Sequence, residues 1–188
     1  FAETETVMVT VDEVPVVTFD VSTTSGCAPL NVVLTNTTDN AFDCVWDING
    51  SSSIYECSDF SFNFTEEGCY DVTLSMGTPN GCTATTTMEN IICVLPDPIV
   101  SFTATTNQIA IGSSEVGLNN TSSNAVDFIW DYGDGLIDSL LYNPGSHEYD
   151  IDDEEFFPIT LYGISDQGCI DSATLLIFVD QQAVLFAP

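Results

Sequence analysis

Short runs of Val, Ile, Thr, Phe and Tyr, broken by Gly, Asn, Asp, Ser and Pro, fill most of the chain. Apolar positions that recur at every second residue mark a strand with one dry face and one wet face. Around residues 69–74, Tyr70, Val72 and Leu74 share one face while Cys69 points the other way. No stretch keeps a 3.6-residue period over three turns, and good helix formers are scarce. The longest apolar run of strand type, L-L-I-F-V at residues 175–179, has the length of a strand and not of a membrane span. The pattern predicts an all-β chain of many short strands.

The same pattern is written twice. P-V-V-T-F at residues 15–19 returns as P-I-V-S-F at 98–102, and N-T-T at 36–38 returns as N-T-S at 120–122. V-W-D at 45–47 returns as I-W-D at 129–131, V-T-L at 72–74 as I-T-L at 159–161, and G-C at 81–82 as G-C at 168–169. Five matches in order, with a spacing that drifts slowly upward, identify two homologous units with a small insertion in the second. Unit one is expected over residues 14–95 and unit two over 96–180. Residues 1–13 read as the closing strand of a preceding unit plus a linker, and residues 181–188 as the start of a following domain. The chain is therefore expected to be a piece of a longer polypeptide. Its junctions are short and contain Pro, which favours extended backbone and stiff joints.

Charge narrows the function. The 188 residues include no Lys, no Arg, one His and 29 acidic residues, a formal charge of −29. A chain of this length ordinarily carries roughly 20 basic residues. Nucleic-acid binding has no cation to use, and an anionic membrane surface repels the chain, so neither nucleic acid nor direct membrane insertion is expected. Hydrophobic content of 44% still marks a folded protein and not an acidic tail. Catalysis needs a nucleophile, a base and an electrostatic stabiliser in one place. With His147 as the lone imidazole and no Lys or Arg to hold an oxyanion, no enzyme is expected.

W-D-Y-G-D-G at residues 130–135, followed by N-P-G-S-H-E-Y at 143–149, resembles the PKD repeat, whose motifs read W-D-F-G-D-G and then N-P-x-H-x-Y. The first unit carries degraded versions: W-D-I-N-G at 46–50, and F-N-F at 62–64 in the H-x-Y place. G-C-A-P-L at 26–30 and the G-C pairs resemble PKD-like repeats of large Bacteroidota cell-surface adhesins and gliding-motility proteins of type IX secretion. The resemblance implies two tandem immunoglobulin-like β-sandwiches of about seven strands each. Trp46 and Trp130 should fill the two cores with Leu34, Leu74, Leu118 and Leu161, joined by Tyr70, Tyr149 and a structural His147. Asp131 and Asp134 should bond the backbone of the turn at Gly133 and Gly135.

Seven cysteines in an acidic β chain suggest disulfides. Cys44 and Cys57 are symmetric about the Asn49-Gly50-Ser51-Ser52 turn, and Cys69 and Cys93 about the Pro79-Asn80-Gly81 turn; each pair should bridge a hairpin. Cys27 and Cys82 are expected in loops at opposite ends of one sandwich, too far apart to bond. In a tandem array Cys27 could instead bridge to Cys169, leaving Cys82 for a unit not included here. The alternative is that Cys27, Cys82 and Cys169 are thiols.

Further candidates lie on loops. Asp150, Asp152, Asp153 and Glu154 form an acidic run of the kind that takes extracellular calcium, or is simply solvated. No other cofactor is expected. Ser139 and Ser172 stand in D-S-[apolar] triplets that resemble bacterial O-glycosylation acceptors. The expected function is that of non-catalytic spacer repeats in a long extracellular adhesin or surface filament. Their partners would be adjacent repeats of the same chain and, if apolar patches or open edges exist, identical chains in a fibre. The alternative is a carbohydrate- or protein-binding module of a secreted multidomain protein.

Overall fold

The computed structural model describes residues 6–8, 13–50, 52–110, 113–139, 142–151 and 156–180. The chain divides into two compact units, Phe1–Leu95 and Pro96–Pro188. Both are all-β, and among the described residues there is no helix.

The first unit has β1 (Phe19–Val21), β2 (Ser25–Cys27), β3 (Leu30–Asn36), β4 (Val45–Ile48), β5 (Ser52–Ile54), β6 (Phe60–Phe64), β7 (Gly68–Gly77) and β8 (Thr83–Leu95). A three-stranded sheet, β1-β3-β6, faces a five-stranded sheet, β2-β8-β7-β4-β5. The second unit has β9 (Phe102–Ala104), β10 (Gln108–Ala110), β11 (Glu115–Asn120), β12 (Asp127–Asp131), β13 (Ile137–Asp138), β14 (Gly145–Glu148), β15 (Phe156–Ile164) and β16 (Ile170–Asp180). Its sheets, β9-β11-β14 and β10-β16-β15-β12-β13, repeat the order of the first unit strand for strand.

Each described unit thus has eight strands where about seven were expected, because the opening strand is split. β1 pairs antiparallel with β3 in one sheet, and β2 then runs parallel to the end of β8 in the other. Hydroxyl side chains cover the crossing: Ser22 accepts from the Val33 N–H at 2.9 Å, and Thr23 donates to the Ser25 carbonyl at 3.1 Å. Thr105 and Thr106 do the same in the second unit, bonding Gly117 and Gln108. A short hydroxyl stands in for a ladder partner where the chain leaves one sheet for the other. The split also corrects the place of Cys27, which ends a strand and does not lie in a loop. Thr6, Val7 and Met8, expected within a closing strand, are exposed and carry no strand pairing, and the rest of that segment lies outside the described residues.

Each unit closes its own core around one tryptophan. Trp46 is fully buried, meets Phe19 and Phe60 edge-on, and donates its indole N–H to the Glu56 carbonyl at 2.9 Å. Trp130 is equally buried and meets Phe102 edge-on at 5.2 Å. Leu34 and Leu74 in the first unit, and Leu118 and Leu161 in the second, pack in the same clusters. Alternation along β7 and β15 places these residues inward and leaves the intervening ones on the outer sheet face.

Candidate functional site

Two arrangements in the second unit set it apart from the first: a polar clasp at one end of the sandwich and the outer face of its larger sheet.

The clasp begins with the turn that follows β12. Asp131 accepts from the Gly133 N–H at 3.0 Å, and Asp134 from the Leu136 N–H at 2.9 Å, so both carboxylates hold turn backbone. Gly133 has φ of +79°, and a Cβ there would meet the Pro158 backbone at 2.6 Å, so the position admits glycine alone. The second oxygen of Asp134 meets His147 Nε2 at 2.7 Å; the two side chains are 16% and 12% accessible. The imidazole stacks flat on Tyr132 at 3.9 Å and meets the edge of Tyr149, which packs on Phe157. Tyr149 is buried and donates its hydroxyl to the Tyr132 carbonyl at 3.1 Å.

Electrostatics follow this packing. Burial works to raise the Asp134 carboxyl, but the hydrogen bonds from His147 and Leu136, together with the imidazolium charge, hold it below the ordinary carboxylate value. Burial, with the charges of Asp138 and Asp134 behind it, raises the Tyr132 phenol. Tyr149 is also raised, first by burial and then by Asp134, Tyr132 and Asp131. The first unit has the aromatic ladder without the charged pair: Phe62, Phe64 and Tyr70 occupy the places of His147, Tyr149 and Phe157, at 4.8 and 4.7 Å from one another. Tyr70 is half-buried and donates to the Glu66 carbonyl. The His147–Asp134 pair therefore fastens a turn to a strand. No Ser, Thr or Cys hydroxyl or thiol is bonded to the imidazole among the described residues.

The outer faces of the two larger sheets differ in chemistry. In the first unit the face reads Val45, Asp47, Thr73, Ser75, Thr85 and Thr87, with Thr73–Thr87 and Ser75–Thr85 hydroxyl pairs at 2.8 and 3.0 Å across the strands. The Thr73–Thr87 pair recurs as Thr160–Thr174 at 2.9 Å. Beside it the second unit keeps Asp131 and Ser172 but is otherwise apolar. Phe156 lies opposite Phe178, Pro158 opposite Leu176, and Tyr162 beside Ile129. Phe156, Phe178, Leu176 and Tyr162 are 48%, 46%, 41% and 38% exposed. The cross-strand pair Phe156–Phe178 stands where the first unit has Cys69 opposite Cys93. The sequence signal for this face was the uninterrupted run at residues 175–179: a strand that alternated normally would be polar at 176 and 178.

Cys69 and Cys93 form a disulfide with Cα atoms 4.0 Å apart, and Cys44 and Cys57 form another with Cα atoms 5.1 Å apart. The routes to these bridges differ from the symmetry argument. The β4–β5 ladder puts Trp46 opposite Ile54 and is centred on Gly50, so Cys44 and Cys57 sit beyond it and one residue out of step. Near its turn the β7–β8 ladder is centred on Asn80; a bulge at residues 89–91, pinned by the Asn90 N–H on Asp71 at 2.7 Å, shifts the register and brings Cys93 opposite Cys69. Cys82 is a free thiol in the turn before β8. Cys169, at the matching place in the second unit, is buried. Both turns are built alike: the Cys82 N–H bonds the Thr78 hydroxyl and the Cys169 N–H bonds the Ser165 hydroxyl, each at 3.0 Å.

Of the acidic run, Asp150 is exposed, while Asp152, Asp153 and Glu154 lie outside the described residues. Ser139 is exposed after β13, and Ser172 is exposed on β16. An open depression of about 590 Å³ in the first unit is lined by Val14, Pro15, Thr18, Thr37 and Asp39, without a paired acid and base.

This geometry defines a class: a chain of tandem immunoglobulin-like β-sandwiches, stapled by disulfides in the first unit. No protein-family model and no curated protein matches it. Among solved structures it is similar to the fibronectin(III)-like modules of Clostridium thermocellum CbhA, with 14% identity over 92% of this chain and 98% of that one, at a TM-score of 0.35. It is also similar to a structure from a 1.5-MDa bacterial ice-binding adhesin, with 10% identity over 90% of this chain and 66% of that one, at a TM-score of 0.36. A third is SGBP-B of a Bacteroides ovatus mixed-linkage glucan utilization locus, with 18% identity over 91% of this chain and 48% of that one, at a TM-score of 0.32.

Proposed function

We propose that the chain is a pair of non-catalytic, PKD-like spacer repeats from a long extracellular surface protein. The observation that carries this reading is the repeat itself: two sandwiches of identical strand order, each closed around its own tryptophan. A module that needs nothing from a neighbour to complete its core can be strung in any number. Two disulfides within one unit suit an oxidising location outside the cell. A charge of −29 keeps such an array soluble and its members apart. A covalent link between repeats through Cys27 and Cys169 belongs to this reading, argued from the places the two cysteines hold in their repeats of a tandem array. Such a link would hold the array together after one repeat unfolds.

Single-molecule stretching of the chain tests the reading. With the disulfides reduced, so that the whole chain bears the load, two unfolding events of similar length are expected, one for each unit. A single event spanning both units would overturn it. Peptide mapping without reductant checks the link: alkylation of Cys27 or Cys169 in the native oxidised chain would remove it.

A further inference from the structure

We propose that the outer face of the β16-β15-β12 sheet in the second unit is a docking surface for a cationic polypeptide that presents apolar side chains between lysines or arginines. The inference goes beyond the spacer reading, which assigns the outer sheet faces no role.

The first unit is an internal control. There the same face of the same fold is built mostly from threonine, serine and aspartate, with Val45 and the Cys69–Cys93 bridge. In the second unit Ser75 is replaced by Tyr162, Cys69 and Cys93 by Phe156 and Phe178, and the position of Asp71 by Pro158. A cross-strand aromatic pair alone could substitute for the lost staple. That accounts for Phe156 and Phe178, but not for Pro158 and Leu176, the next apolar pair on this face of β15 and β16, or for Tyr162, which stands beyond the Thr160–Thr174 pair beside Ile129. Exposed apolar side chains gathered on one face within a polar rim mark an interaction site.

Charge selects the occupant. Asp127 and Asp131 flank Ile129 on this face, and Asp180 follows Phe178 on it two residues on. A second copy of the chain has no Lys or Arg to set against these carboxylates and itself carries a net charge of −29. The complement of an apolar strip with aspartates along one side and at one end is an apolar segment flanked by cations. An extended segment with alternating apolar and basic residues meets both demands, because its side chains alternate with the spacing of the face.

The test uses the whole 188-residue chain and three synthetic 13-residue peptides, alternating Lys–Val, Lys–Ser and Glu–Val. Amide shifts induced by the Lys–Val peptide should cluster at Ile129, Thr160, Leu176 and Phe178. Its affinity should exceed that of the other two at least tenfold. The double variant Tyr162→Ser/Leu176→Thr, which gives this face the polarity of its counterpart, should weaken Lys–Val binding at least tenfold and leave Lys–Ser binding unchanged. Both replaced residues are exposed, so the variant should melt within a few degrees of the parent. Equal binding by the variant, or shifts scattered over all acidic surfaces, would overturn the proposal. So would sedimentation showing a dimer that the double variant abolishes, which would make the occupant a second copy. Displacement of the peptide by cellulose or a soluble β-glucan would overturn it in favour of a sugar.

Discussion

At the scale of single residues, the His147–Asp134 pair gives the chain its one side-chain charge pair, since no other side chain can carry a positive charge. Its contribution has a definite sign with pH. Asp134 titrates below its ordinary value in the folded state, near 4 when unfolded. The part of the stabilisation that depends on an ionised Asp134 is therefore present above about pH 4 and is lost as pH falls through the lower folded value. With the pair partly open to water, about 1 kcal/mol is at stake. Asp134→Asn should lower the melting temperature of the second unit by several degrees at pH 6. That deficit should close by about pH 2, followed by circular dichroism across the acid range. A deficit independent of pH would assign Asp134 to turn geometry alone. This pair was half legible in the sequence. The H-x-Y slot identified His147 as structural, and the G-D-G turn gave Asp134 a backbone role. That the two meet depends on β14 crossing above the turn, which no local pattern encodes.

At the scale of elements, alternation and turn chemistry carried most of the reading. Asn49 and Gly50 take φ of +50° and +67°, the left-handed pair that a tight hairpin demands. The split of the opening strand was hidden, because Ser22 and Thr23 look like any strand-end hydroxyls until the crossing is seen. The bulge at residues 89–91 was hidden too, and the Cys69–Cys93 symmetry argument depended on it. This bridge and the Phe156–Phe178 pair hold equivalent positions at very different strengths. A disulfide closing 24 residues contributes roughly 3 kcal/mol, against less than about 1 kcal/mol for an exposed aromatic pair. The double variant Cys69→Ser/Cys93→Ser should therefore cost the first unit roughly 3 kcal/mol in urea unfolding. Phe156→Thr/Phe178→Thr should cost the second no more than about 1 kcal/mol. A larger loss from the phenylalanines would mean that they staple the sheet, and that their exposure needs no partner to explain it.

At the scale of the whole molecule, the two copies share an architecture but not a surface. The cores are redundant: each packs one tryptophan between a small sheet and a large one, and neither cluster includes a residue of the other unit. Divergence is greatest at the clasp, the disulfides and the outer faces, and it enters the cores where Tyr132, Tyr149 and Cys44 pack in them. Independent cores imply independent unfolding. Replacing Trp46 by Ala removes a fully buried indole and should cost about 3–5 kcal/mol, a large share of the 5–15 kcal/mol typical of a domain. Hydrogen exchange read by mass spectrometry should then show protection collapsing across β1 to β8. Protection across β9 to β16 should stay at the parental level, and Trp130→Ala should give the mirror image. Loss of protection in both units from either substitution would show that the halves fold as one cooperative body. In that case a repeat could not be added to or removed from the array without cost to its neighbours, and the spacer reading would lose its physical basis.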